Sequence, residues 1–310
     1  MTRRCAEHNI AIGAHMKSHT IALLTLLLVV GPYLVLAQQS APPFADVIVR
    51  CDDAGMSHAV NRAIRDIAET GMPFSVSVMV PCPWFPEAVE ILRAYPHVSV
   101  GLHLTLNAEW KGMRWGPVLG GQDVPSLVDS LGYFFPSRAA LMAHGPKLDE
   151  VERELRAQIQ RAYAAGLKPD YLDHHMSAAV NTPEMRLIVE RLAAEYGLGI
   201  SRYFGETGAE GVYRAPIDHK TDTLIALVNR LEPGKRHLFV FHVTAQSQEM
   251  DALIDQNTIG LPDMSKHRNA EFRAVSSPEF REALKERGIR MLTYADLMKA
   301  DGTKGMKRPH

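Results

Sequence analysis

Val47-Ile48-Val49-Arg50-Cys51-Asp52-Asp53-Ala54-Gly55 is an apolar run that ends in two adjacent carboxylates and a glycine. Neighbouring side chains on an extended backbone point to opposite faces, so at most one of the two acids looks along the strand axis into a shared pocket. The other joins it only if the chain turns there, and Gly55 permits that turn. The arrangement recurs downstream. A strand-like run over 98–106 carries His103, and Tyr171-Leu172-Asp173-His174-His175 places two histidines past a short apolar step. The run His237-Leu238-Phe239-Val240-Phe241-His242-Val243 brings His242 to its end. Four strands thus deliver Asp or His near their C-terminal ends, the edge on which a barrel of alternating strands and helices builds its active site.

Helical periodicity fills the gaps between these strands. It predicts helices over 59–70, 86–94, 148–165, 183–196, 221–231 and 278–286, with strands over 74–80, 200–204 and 290–293 completing the set. Strands separated by helices argue for a parallel sheet. The expected fold is a distorted α/β barrel of about seven parallel strands in a single domain over residues 38–310. The long segment over 108–136 breaks the rhythm, being rich in Gly, Trp and Pro directly after the His103 strand. Such an insertion is commonly an active-site loop. Its aromatics, Trp110 and Trp115 together with Tyr133, Phe134 and Phe135, either offer a face on which sugar rings stack or pack the loop onto the barrel.

The first forty residues belong to another class of segment. Lys17 and His19 precede the apolar run Ile21-Ala22-Leu23-Leu24-Thr25-Leu26-Leu27-Leu28-Val29-Val30, and Val35-Leu36-Ala37-Gln38 follows with small residues where a signal peptidase reads. The expectation is a cleavable signal over 1–37, with Met16 an alternative start, and a secreted or periplasmic mature protein without stable membrane association. An uncleaved anchor is the competing reading, though Pro32 interrupts a run already short for a bilayer. In an oxidising compartment Cys51 and Cys82 either pair or stay as buried thiols. With a formal net charge of −1 and no basic stripe, nucleic acid is an unexpected partner.

A hydrolytic metal site needs a few fixed ligands, an open position for water and a nearby base. Asp53, His103 and His175 supply one carboxylate and two imidazoles. Asp52 is placed as the base, the reverse assignment of the two aspartates being the alternative, and His242 is the candidate proton donor. Asp173 and His174 are expected to orient an imidazole from behind. These residue types in this pattern point to a metal-dependent hydrolase.

Asp52-Asp53-Ala54-Gly55-Met56-Ser57 followed by Val60-Asn61-Arg62-Ala63-Ile64 resembles the opening motif of the YdjC-like carbohydrate deacetylases. Gly101-Leu102-His103-Leu104-Thr105-Leu106 resembles their second motif, and Pro169-Asp170-Tyr171-Leu172-Asp173-His174-His175 their third. Arg268-Asn269-Ala270-Glu271 is similar to part of their ending. The resemblance implies a divalent cation, Mg²⁺ or Zn²⁺, on Asp53, His103 and His175, with Asp52 as base. It implies hydrolysis of an acetamido group on an oligosaccharide; Arg268 in that ending, and Trp110 and Trp115 from the aromatic loop, are the candidate substrate-binding residues. Hydrolysis of another amide or ester, or a secreted glycan-binding module without activity, are the competing functions. The chain departs from the family pattern at Met176-Ser177-Ala178-Ala179 and at His242-Val243-Thr244.

Overall fold

Strand β1 (Asp46–Ala54) is the hub of the molecule, because three other strands pair with it. A computed structural model describes residues 44–209, 211–258 and 260–309; the signal expected over 1–37 lies outside them. The remaining strands are β2 (Ser75–Val78), β3 (Ser99–Leu104), β4 (Trp110–Lys111), β5 (Tyr171–His174), β6 (Gly199–Ile200), β7 (Glu206–Gly208), β8 (Arg236–Phe241), β9 (Ile254–Asp255) and β10 (Arg290–Leu292). Seven form a curled parallel sheet in the order β6-β5-β3-β2-β1-β8-β7, and β10 also pairs with β1. Strand β8 pairs along Asp46 to Cys51, whereas β10 pairs with the first three residues of β1 and β2 with its second half. The pair β4-β9 is a separate antiparallel ribbon.

Helices α1 (His58–Glu69), α2 (Phe85–Ala94), α3 (Arg138–His144), α4 (Leu148–Ala164), α5 (Pro183–Tyr196), α6 (Lys220–Val228), α7 (Gln248–Asp251), α8 (Met264–Ser276), α9 (Pro278–Glu286) and α10 (Tyr294–Ala300) flank the sheet. Their ends follow local chemistry. Ser57 Oγ accepts from the Val60 amide to cap α1, and Thr182 caps α5 ahead of Pro183. Among the described residues no helix is long and apolar enough to cross a membrane.

Strand alternation sorts the side chains of β1. Val47, Val49 and Cys51 join the main apolar core, while Ile48 packs with Tyr171, Leu238 and Tyr294 in a second cluster. Arg50 and Asp52 continue the Ile48 face by the same two-residue period. The strand expected over 200–204 ends at Ile200. Arg202 takes φ 72°, and the chain turns back into β7 because the Glu206 carboxylate accepts the amides of Arg202 and Phe204. The segment over 108–136 is held to α4 by two buried acids: Glu154 accepts the amides of Val118 and Leu119, and Glu150 that of Ser126. Cys51 and Cys82 are free and buried, and burial pushes both thiols up.

Candidate metal centre

The two aspartates reach the same cavity by different routes. Asp52 points inward by strand alternation. Asp53 would point outward, but it takes φ 68° where the β1–β2 register shifts between Cys51 and Ala54. The turn therefore begins at Asp53 itself and continues through Gly55 at φ 90°, one residue pair earlier than the glycine alone suggested. A left-handed aspartate costs about 1–2 kcal/mol, a strain typical of functional positions.

Asp53 is fully buried, and neither carboxylate oxygen has a hydrogen-bond partner among the described residues. Three positive or potentially positive groups face it instead. His103 Nε2 and His175 Nδ1 each lie 3.4 Å from Oδ1, and Arg268 Nη1 lies 2.8 Å from Oδ2. These approaches are charge contacts without hydrogen-bond alignment. Behind each imidazole stands a carboxylate. His103 Nδ1 donates to Asp173 at 2.7 Å, and His175 Nε2 donates to Glu109 at 2.8 Å. With those nitrogens carrying the protons, the lone pairs of the other two point at a carboxylate that also offers only lone pairs. Such a site needs positive charge at its centre, either protons or a cation. Ligand atoms of Asp53, His103 and His175 all lie within 4.8 Å of one another, so the donor set fits a divalent ion.

Electrostatics without a cation say the same. Burial opposes protonation of His103, yet Asp52 and Asp173 push it up to about 9. Burial likewise opposes it at His175, where Glu109 and Asp53 raise it to about 10. Burial would raise Asp53, but Arg268 and the two histidines hold it well below the usual carboxylate range.

Arg50 ties the second aspartate in. Its Nε and Nη2 each donate to one oxygen of Asp52 at 2.7 Å, a bidentate pair, while Nη1 donates to Asp173 at 2.9 Å and to Ser201 Oγ at 2.6 Å. One buried guanidinium thereby fixes Asp52 and, through Asp173, the ring of His103. Asp52 lines a cavity of about 400 Å³ together with Asp53, His103, His175, His242 and Arg268.

Asp173 does orient a histidine, whereas His174 lines the cavity with its Nδ1 unpartnered and its protonation disfavoured by burial and the nearby Arg50. His242 stands at the end of β8, outside the ligand cluster, with its amide donating to Glu271 at 2.8 Å and its ring edge-on to Tyr213. Trp110 and Trp115 correct the expectation of a stacking face: they are 1% and 3% exposed. Trp115 Nε1 donates to the Asn107 carbonyl, and the Arg268 guanidinium lies 5.2 Å over the Trp110 ring. Trp110 therefore supports Arg268 from below, and Arg268 in turn faces Asp53. Phe134 is also buried, and Tyr133 is exposed on the loop. Arg50 and Glu109 went unforeseen. Arg50 had a signal, a lone charge inside an apolar strand; Glu109, in a loop without periodicity, had none.

The family described as YdjC-like protein matches residues 46–286. The chain belongs to the YdjC-like family. A carbohydrate deacetylase from Brevibacillus brevis is 30% identical over 267 residues, covering 81% of this chain and 99% of that protein. A carbohydrate deacetylase from Thermus thermophilus is 33% identical over 264 residues, covering 77% and 89%. A solved structure from Enterococcus faecalis shares the fold of this YdjC-like chain at a TM-score of 0.67 and 24% identity, covering 82% of this chain and 99% of that one.

Proposed function

We propose that this YdjC-like protein is a metal-dependent carbohydrate deacetylase that hydrolyses the acetamido group of an amino sugar within an oligosaccharide. The observation that carries the reading is the buried Asp53 carboxylate without hydrogen bonds, faced by two imidazoles that Asp173 and Glu109 hold in place. Relatives named carbohydrate deacetylase, matched over nearly their whole length, support the substrate class.

Asp53, His103 and His175 would hold the cation, Mg²⁺ or Zn²⁺ by the chemistry of the donors. A divalent ion there supplies Lewis-acid polarisation of the acetyl carbonyl and activation of water. Asp52 takes the proton of the attacking water; the bidentate grip of Arg50 on both its oxygens fixes the carboxylate toward the cavity. Arg50 also keeps Asp173 charged, so His103 stays in the tautomer that turns Nε2 inward. His242, which follows β8 and lines the cavity, gives a proton to the departing amine, and Arg268 adds positive charge beside Asp53 as the carbonyl oxygen becomes negative.

Acetate release from a panel of N-acetylated oligosaccharides, with and without a chelator, tests the proposal. Chelator-sensitive release is expected. Release that a chelator leaves untouched would remove the metal from the mechanism, and no release from any sugar would remove the deacetylase.

A further inference from the structure

Beside the metal cavity, and sharing His174, Ser177 and Arg202 with it, lies a second cavity of about 430 Å³. Three arginines from three elements line it: Arg138 at the start of α3, Arg186 on α5, and Arg202 in the turn between β6 and β7. Among the described residues no Asp or Glu lines it. Arg186 donates to the Tyr203 hydroxyl at 3.4 Å; Arg202 gives Glu206 its backbone amide, and among the described residues its guanidinium has no hydrogen-bond or ion-pair partner. Glu190, one turn along α5 from Arg186, is occupied by Arg308 and the Tyr203 hydroxyl. The chain as a whole carries 34 Lys and Arg against 35 Asp and Glu, so this concentration of positive charge is local.

The shared wall is built with unusual backbone. Ser177 and Arg202 have φ 60° and 72°, and Met176 before them has φ 47°, immediately after the ligand His175. His174 stands in the same wall with a buried Nδ1 that has no hydrogen-bond partner among the described residues. Arginines drawn from three elements onto one acid-free cavity repel one another unless an anion sits among them.

We propose that this cavity is a subsite for a carboxylate-bearing sugar residue adjoining the acetamido sugar in the metal cavity. The inference rests on the deacetylase reading and narrows its substrate to an acidic glycan. Arginines and no lysine favour a planar carboxylate, which guanidinium forks grip bidentately. Ser177 and Asn181 add neutral polar groups suited to sugar hydroxyls.

The test is calorimetric binding of two disaccharides to the full chain: one of N-acetylglucosamine with glucuronic acid, and neutral di-N-acetylchitobiose. Wild type is expected to bind the acidic one about tenfold more tightly. In Arg138→Gln/Arg186→Gln the two should bind equally; Arg138 is exposed, so Arg138→Gln alone serves if the pair does not fold. Equal binding by wild type, or an undiminished preference in the variants, overturns the subsite. Tighter binding of a 6-phosphorylated disaccharide than of the uronic one overturns the carboxylate assignment. Acetate release measured on the same sugars separates the two claims: preference in binding without any release leaves the subsite standing and removes the deacetylase.

Discussion

Replacing Asp52 by Asn isolates the proposed base from the metal ligands. The carboxylate accepts from both Nε and Nη2 of Arg50, each at 2.7 Å and each buried. Asparagine keeps one acceptor and turns an NH₂ group toward the second guanidinium donor. One charged pair is lost and two buried donors oppose each other. Breaking a buried pair from one side costs about 3–5 kcal/mol. Arg50 retains Asp173 and Ser201, which places this case near about 3 kcal/mol, or roughly 5–10 °C in thermal midpoint. Removal of a general base lowers kcat by about 10²–10⁴. Asp53, His103 and His175 are untouched, so the protein should still bind its cation. The assay pairs steady-state acetate release with calorimetric titration of Zn²⁺ into chelator-stripped protein. Asp52→Asn with more than a tenth of wild-type kcat, or with its cation lost, would refute the assignment of base and ligand.

Metal-free protein should lose stability between about pH 7 and 10. His103 and His175 titrate at about 9 and about 10 in the folded chain against about 6.5 unfolded. A raised folded value stabilises fully below the unfolded value, and that contribution fades as pH climbs through the folded one. Melting curves of chelated protein across that range check this, and a midpoint that rises with pH would contradict it. Gly101→Ala should cost about 1–3 kcal/mol or more, because its Cβ would sit 2.2 Å from the fully buried Tyr171 ring; an unchanged midpoint in urea would show that the ring yields freely. N-terminal sequencing of the protein from its own cells should begin at Gln38, and an intact leader would refute export by cleavage.

The barrel and its candidate ligands were legible for a single reason: polar residues at the ends of apolar strands stand out against a two-residue period. Asp53, His103 and His175 sit at such ends, as does His242. The support behind them was harder to read. Glu109 finds His175 across 66 residues from a loop that has no period of its own. Helix α8 was not predicted from periodicity; Arg268, which it carries to the cavity, was reached only through the likeness of Arg268-Asn269-Ala270-Glu271 to the family's ending. Of the two readings of the aromatic loop the packing one holds for Trp110, Trp115 and Phe134, which join the main apolar core; an aromatic-rich loop looks the same in sequence whether its rings face sugar or protein. The order of the aspartates depended on one φ angle at Asp53, which residue types alone do not specify.

Zn²⁺ titration of chelator-stripped wild type and Asp53→Asn tests the central claim most directly. One ion per chain in wild type and none in the variant is the predicted result; equal stoichiometry and affinity in the two would contradict it.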